Sequence, residues 1–326
     1  MRYTGAMRAR LPHLVLGGTG FIGRHVAVAI ARAGDQVTIA SRYPPKFEFP
    51  ADVRSRISWA YVDVASADWP ALLHDVRSVH HYAWASVPAT AQEDPVRDVV
   101  VNLLPLISLL EAFKDLPRGS VPLIFASSGG TVYGKLSHVP VAEAHELGSI
   151  TAYGATKVAA EQYLRLYGHL YGADVRIARI SNPYGAGQST TTPQGVIAAT
   201  INRALRRESV TIWGDGSIVR DFIYISDVVD ALVALGATDS KRLEYTEFNV
   251  GTGEGSSIRD VIDTLEVILQ RRIIIKCESG RDYDVPVSIL DVSRAKRVLS
   301  WQPKVSLLEG MQRTVEAFKC GAAFSH

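Results

Sequence analysis

The sequence predicts an α/β protein: a doubly wound parallel sheet followed by a smaller, partly discontinuous C-terminal domain. Three observations carry this expectation. Apolar strand-like runs alternate with helix-like segments through the first half of the chain. A glycine-rich stretch, "GGTGFIG", separates the first strand from the first helix. After about Tyr184 the alternation loosens into "GAGQSTTTPQG" and later resumes.

Taken in order, "HLVLGG" reads as a strand and Phe21–Arg32 as an apolar-periodic helix. "DQVTIAS", "ISWAYVD", "SVHHYAW", "VPLIFASS" and "ADVRIARIS" read as further strands, and right-handed crossovers would stack helices on both faces of the sheet. Pro193 argues against helix in the loop, a helix is expected over residues 196–206, and "SVTIWGDG" reads as a strand. "DFIYISDVVDALVAL" and "EFNVGTG" resemble the first half again. The expected division is therefore 11–185 with 221–252 as the dinucleotide-binding domain, and 186–220 with 253–320 as the second domain.

Composition excludes several function classes. The 326 residues are 47% hydrophobic and 21% charged, an ordinary globular balance, and the net charge of +2 offers no electrostatic basis for nucleic acid or an anionic membrane as partner. The two cysteines, Cys277 and Cys320, form no CxxC pair, so neither a disulfide framework nor a zinc site is implied, and no metal is expected. "MRYTGAMRARLPH" lacks the apolar core of a signal peptide, with Met7 as a second candidate start. The apolar run over 99–110 is short and is interrupted by Asn102 and Pro105. The expectation is a soluble, cytoplasmic protein.

Gly17, Gly20 and Gly23 stand directly after a strand and open a helix. Glycine there permits a tight turn and close backbone approach to a pyrophosphate, while the helix N-terminus presents unpaired N–H groups. The next strand ends at Ala40-Ser41-Arg42, where an NAD-binding fold commonly has an acid for the ribose hydroxyls. Ser41 and Arg42 would instead accept a 2′-phosphate, or Arg42 is a solvated loop charge. NAD and NADP both stay open on these residues.

"TAYGATKVAAEQYLRLYGHLYG" places Tyr153 and Lys157 four apart, hence on one helix face. A phenol titrates near pH ~10, so ionising it at neutral pH needs about 4 kcal/mol of help. A neighbouring ammonium and an oxidised nicotinamide would each supply part, giving a phenolate able to take a proton from a substrate hydroxyl.

"GGTGFIG", "YVDVAS", "SSGGTVYG", "YGATK", "SNPYGAGQ" and "IWGDGSIVRDFIYISDV" occur in this order. Together they resemble the extended short-chain dehydrogenase/reductases, in particular UDP-glucose 4-epimerase-like enzymes. The resemblance implies a Rossmann-type sheet with the active site in a cleft between two domains. It implies that Gly17, Gly20, Phe21, Ile22 and Gly23 bind the pyrophosphate. Asp63 and Val64 would meet the adenine, and Tyr82 and Ala83 would lie beneath the nicotinamide. Asn102 matches the asparagine ahead of the family's "NVxGT"-like helix. Tyr153 would be the base, and Lys157 would orient the nicotinamide ribose and lower the phenol pKa. Asn182 and Pro183 would sit where cofactor and substrate meet. Arg220, Arg281 and Asp284 would hold the nucleotide diphosphate and its ribose, Arg220 otherwise being a salt-bridge partner of Asp221.

Three positions depart from that pattern. The family's Ser or Thr two places before "TVYG" is Gly129 here, so Ser128 or Thr131 would have to supply the hydroxyl. Gly130-Thr131 stands where 4,6-dehydratases carry Asp-Glu, which excludes that elimination. Ser288 replaces a bulkier residue and would leave room for a substituted sugar such as an N-acetylated one. The expected activity is C4 epimerisation of a UDP-hexose with a bound nicotinamide cofactor, NAD or, through Ser41-Arg42, NADP. The alternatives are an NADP-dependent sugar-nucleotide 4-ketoreductase and a non-catalytic dinucleotide-binding protein. The resemblance also implies a homodimer, joined through residues 98–113 and 153–171.

Overall fold

A computed structural model describes residues 11–190, 195–279, 285–321 and 324. Two compact units emerge. One comprises the described residues up to Ser127, Ala152–Ala178 and Val229–Phe248; the other comprises Ser128–Thr151, Arg179–Val228 and the described residues from Asn249 onward. Residues 128–151, 179–185, 221–228 and 249–252, assigned from sequence to the dinucleotide-binding part, thus group with the second unit.

A seven-stranded sheet lies mostly in the first unit, residues 128, 179–180 and 249–250 of its strands being grouped with the second. Its strands are β1 (His13–Leu16), β2 (Val37–Ser41), β3 (Ile57–Tyr61), β4 (Ser78–His81), β5 (Pro122–Ser128), β6 (Asp174–Ile180) and the late strand Glu247–Val250. Reading across from the late strand, the order is β6, β5, β4, β1, β2, β3. The order reverses between β1 and β4, which pair in parallel with His13 opposite Ser78 and Leu16 opposite His81. Such a reversal opens a crevice at the carboxyl ends of the two strands, where α/β folds bind ligands. All four residues of β4 are buried, as expected of a central parallel strand covered on both faces.

The helix Phe21–Arg32 buries Gly23, Val26, Ala27, Ile30 and Ala31, a stripe at helical spacing against the sheet. The long helix Ala152–Tyr171 buries Lys157, Ala160, Glu161, Leu164 and Tyr167 at the same spacing. Leu109, Leu110, Phe125, Leu164 and Ile177 lie in one apolar cluster, so this stripe carries a lysine and a glutamate into the core.

Arg176 on β6 is buried and fully partnered. Its Nη1 donates to the carbonyls of Leu235 (2.5 Å) and Thr238 (2.8 Å), at the end of the helix Ile225–Ala237, and Asp174 accepts from Nε and Nη2. A guanidinium there satisfies carbonyls that the helix leaves open.

The second unit contains short strands. Asn182–Tyr184 pairs with Phe222–Tyr224, Val210–Trp213 with Ile275–Glu278, and Val219–Arg220 with both Ser256–Ser257 and Val287–Ser288. Its interior holds a polar network. The Tyr133 hydroxyl donates to Asn249 Oδ1 at 2.7 Å, Asn249 N–H donates to Glu143 Oε1 at 2.9 Å, and Arg179 Nη1 donates to the Tyr133 oxygen at 2.9 Å. Every bond spans residues distant in sequence, so the network fixes the loop after β5 against the rest of the unit.

Candidate functional site

The glycine turn sits at the strand-order reversal. Gly17 has φ +76°, which a side chain rarely adopts, and a Cβ there would lie 2.7 Å from Ala83 N and 2.8 Å from Tyr82 C. A Cβ on Gly23 would run into the Gly17 carbonyl oxygen. Gly20 caps the helix Phe21–Arg32 without any side-chain hydrogen bond. The first N–H groups of that helix, on Phe21, Ile22 and Gly23, have no acceptor within it. The result is a cradle formed by a glycine-rich turn at the positive end of a twelve-residue helix, braced by Arg24, which donates to Gly20 O and Thr19 O, and it suits a pyrophosphate.

Tyr82 contributes to this cradle through its main chain. Its N–H donates to Leu16 O, while its side chain turns away and its hydroxyl meets His80 Nδ1 at 2.9 Å. Burial holds that phenol well above its usual pKa. The next residues are pinned from the helical segment opposite. Asn102 Oδ1 accepts from Ala85 N–H at 2.7 Å, and Asn102 Nδ2 donates to Ser86 Oγ and Asp98 Oδ1. Ser86 also donates to Asp98. Asn102 thereby acts on residues 85–86. It points inward from a wide π-helical turn, Val99–Leu103, just ahead of Pro105, whose missing N–H interrupts regular helix pairing.

At the ends of β2 and β3, Ser41 Oγ donates to Tyr43 O at 2.7 Å and accepts from Trp59 Nε1 at 3.1 Å. Arg42 is exposed beside the Tyr43 ring. The Ser41 hydroxyl is thus engaged within its own edge of the sheet. Asp63 Oδ1 accepts from Ala65 N–H, forming the turn that carries Val64.

Tyr153 and Lys157 lie one turn apart, as the sequence predicts, but their electrostatics differ from the expectation. Lys157 is 3% exposed, and its Nζ donates to Ala126 O at 2.7 Å. Nζ lies 3.6 Å from the centre of the Trp84 ring, 4.6 Å from that of Phe125 and 5.8 Å from that of Tyr153. Burial pulls the amine down to about 7, against the carboxylates of Glu161 and Asp98. Burial pushes the Tyr153 phenol up, and the Asp98 charge adds to the rise. In the protein alone the phenol is raised rather than lowered: Lys157 Nζ is directed at a carbonyl and an indole, and burial dominates, so the lowering expected of Lys157 together with an oxidised nicotinamide is not present here.

The opening serine of "SSGGTVYG" has a structural task. Ser127 Oγ donates to the buried Glu161 at 2.6 Å, and Arg165 pairs with the same carboxylate at 2.8 Å. Neither Trp84 nor Asp98 was singled out from sequence. For Asp98 the available signal was its position four residues before Asn102, on the same helix face; Trp84, an aromatic between alanines, carried none.

In the second unit, a Cβ on Gly129 would stand 2.5 Å from Leu290 Cδ1 and 3.1 Å from Arg179 O. Leu290 fills the space that a serine or threonine would need. Ser128 is half-buried, and the Thr131 hydroxyl oxygen is buried without a hydrogen-bond partner among the described residues. Asn182 Nδ2 donates to Asp221 O, and Pro183 O accepts from Gln188. Arg220 Nη1 donates to the carbonyls of Val219 and Val285. Asp221 accepts from the Thr252 N–H and hydroxyl, Gly253 N–H, Leu290 N–H and Ser181 Oγ. Burial nonetheless raises its pKa. Ser288 is buried in its strand. Arg281 and Asp284 lie outside the described residues. Among the described residues no group of three or more His, Cys, Asp or Glu could hold a metal, and no helix is long and apolar enough to cross a membrane.

Comparison with known proteins agrees with this geometry. The chain is 32% identical over 314 residues to a UDP-glucose 4-epimerase of Mycolicibacterium smegmatis, covering 94% of this chain and 98% of that one. It is 31% identical over 325 residues to a dTDP-4-dehydro-6-deoxyglucose reductase of Escherichia coli, covering 94% and 97%. The crystal structure of a Thermus thermophilus UDP-glucose 4-epimerase in complex with NAD superposes with a TM-score of 0.83 at 30% identity, covering 95% of this chain and 99% of that one. The pattern of the NAD dependent epimerase/dehydratase family matches residues 13–251. That span takes in every strand of the seven-stranded sheet, and the chain belongs to this family of enzymes.

Proposed function

We propose that the protein is a nucleotide-sugar 4-epimerase acting on a UDP-hexose of the UDP-glucose/galactose type, with NAD as resident cofactor. The observation that carries this reading is the pairing, within one unit, of a glycine-rich turn at a helix N-terminus with Tyr153 and the buried Lys157 one turn apart on a second helix. Gly17, Gly20, Phe21, Ile22 and Gly23 would hold the pyrophosphate, Asp63 and Val64 the adenine end, and Lys157 the nicotinamide ribose. The cradle fits the cofactor because glycine at 17, at φ +76°, lets the turn pack directly on the Tyr82–Ala83 backbone while the first N–H groups of the following helix have no acceptor within it. When bound, NAD would supply a reversible hydride acceptor for the sugar carbon bearing the reacting hydroxyl, and a positive charge beside Tyr153.

The chain's own residues handle the proton. Tyr153 Oη acts as the phenolate: it takes the proton from the sugar O4, becoming a phenol, and gives it back, so the phenolate is restored at the end of each cycle. The positive charge of a bound nicotinamide would offset the burial that raises this phenol in the protein alone. Thr131, whose hydroxyl finds no partner in its own unit, is proposed to bond the sugar, with Ser128 as its neighbour in that role. Asn182, Arg220, Arg281 and Asp284 are proposed to hold the nucleotide. The likeness to the E. coli reductase raises a second reading, stoichiometric reduction of a 4-keto sugar nucleotide. The two readings separate in one assay. Epimerisation interconverts UDP-glucose and UDP-galactose with no added cofactor, whereas reduction consumes added NADPH. Tyr153→Phe should cut turnover by roughly 10²–10⁴-fold; equal activity of this variant would overturn the mechanism. A parallel assay with UDP-N-acetylglucosamine tests the room expected at Ser288.

A homodimer belongs to the same proposal. Val96, Val100 and Leu104 are exposed at four-residue spacing, and Tyr163, Leu166 and Leu170 are exposed on the Ala152–Tyr171 helix that packs beside them. A second copy presenting the same stripes would bury both. Leu166→Glu should yield a monomer by light scattering; an unchanged wild-type mass would exclude this face.

A further inference from the structure

We propose that Trp84 is the positioning residue for Lys157, its indole face holding the amine as an ammonium aimed at the Ala126 carbonyl. This rests on the reading of Lys157 given above. The geometry is specific. Nζ stands 3.6 Å from the indole centre, closer than to any other ring it faces, and its hydrogen bond to Ala126 O is 2.7 Å long. Trp84 is itself fixed edge-on against Phe125, with ring centres 5.8 Å apart at 72°, and against Tyr153, at 6.4 Å and 77°. One indole therefore meets both members of the pair.

A second observation concerns the other side of the ring's chemistry. A buried indole N–H ordinarily finds an acceptor. Trp84 Nε1 is buried with none among the described residues. The ring is thus in place for its face, where the quadrupole attracts a cation.

The charged and titratable groups around Lys157 are Tyr153 and Glu161 on its own helix, Asp98 from the segment preceding Asn102, and His81 on β4. His81 is held neutral, down to about 3, by burial and by Lys157 itself. The two carboxylates favour the ammonium, yet burial still lowers the amine to about 7. The indole face is then the contact whose removal tips the amine to neutral.

The test reads Lys157 directly. Full-length protein is labelled with [13C]lysine, and the Lys157 signal is identified by its loss in Lys157→Arg. Its NMR titration midpoint is followed in wild type, Trp84→Leu and Trp84→Phe. Trp84→Leu should lower the midpoint by about one pH unit, which is a tenfold loss of ammonium on the alkaline side. Trp84→Phe should lower it less, because the phenyl face is the weaker one. A midpoint that stays or rises in Trp84→Leu overturns the proposal. Should that variant not fold, an unmoved midpoint in Trp84→Phe does the same. The alkaline limb of kcat is measured alongside. A limb that follows the midpoint ties the contact to turnover. A fixed limb with a falling midpoint supports the Trp84 contact and instead counts against the role given to Lys157 in the reaction.

Discussion

Gly129→Ser places a side chain where this family commonly has one, and the structure says it will not fit. Its Cβ would stand 2.5 and 3.0 Å from the two Leu290 methyl carbons and 3.1 Å from Arg179 O. Ordinary carbon contacts lie near ~3.5–4 Å, so the methyls must move by about an ångström. The Arg179 carbonyl belongs to β6 and cannot yield as a side chain can. Overpacking of this kind costs about 1–3 kcal/mol. Leu290 is fully buried, and Leu290→Ala alone should cost about 2–5 kcal/mol. The double variant should be less damaged than the sum by about 1–2 kcal/mol, because the alanine removes the methyls that the serine meets. Urea unfolding of wild type, both single variants and the double variant closes the cycle. Additive losses, or a Gly129→Ser protein as stable as wild type, would refute the claim that Leu290 occupies the hydroxyl's place.

Two further predictions follow from the first unit. His13 and His81 are held neutral by burial, at about 4 and about 3, against 6.5 when unfolded. With folded values below the unfolded one, each contribution is fully present above pH 6.5 and is lost as pH falls toward about 4 for His13 and about 3 for His81, at about 1.4 kcal/mol per pH unit for each histidine. Urea unfolding at pH 7 and pH 4.5 should differ by on the order of 5 kcal/mol for the pair; a flat profile would show that these histidines are not buried neutral. Gly17→Ala puts a Cβ 2.7 Å from Ala83 N at φ +76°. It should reduce NAD retained on the purified protein by roughly tenfold or more, the equivalent of about 1.4 kcal/mol, as read by mass spectrometry of the cofactor released on denaturation; full retention would remove this turn from the cofactor site.

Much of the first unit was legible because its signals are local. The helix Phe21–Arg32 has its observed bounds in the sequence pattern, and β2 to β6 fall within the runs read as strands. Gly17, Gly20 and Gly23 were legible because a turn without side chains leaves a residue signature. What stayed hidden depends on distant partners. Nothing near Gly129 announces Leu290, 161 residues on, as the occupant of its space. Tyr82 was legible as a position and misleading as a side chain, since strand alternation sends its ring to His80 and leaves its backbone for Gly17. Spacing placed Tyr153 and Lys157 together but said nothing of the desolvation that sets their charges, which depends on Trp84, Phe125 and Asp98 arriving from other segments.

The buried guanidinium of Arg176 has a bearing on biosynthesis. Its carbonyl acceptors at Leu235, Gly236 and Thr238 emerge from the ribosome long after the strand that carries it. Until they do, a closed sheet would hold Nη1 of this guanidinium with only Asp174 as the ion's partner, at a cost of about 1–3 kcal/mol for the unmade hydrogen bonds. The nascent chain therefore gains little by closing the sheet before the helix end that caps this guanidinium has been made. A stop codon placed before residue 235 should give a product that is degraded rather than a smaller stable fold.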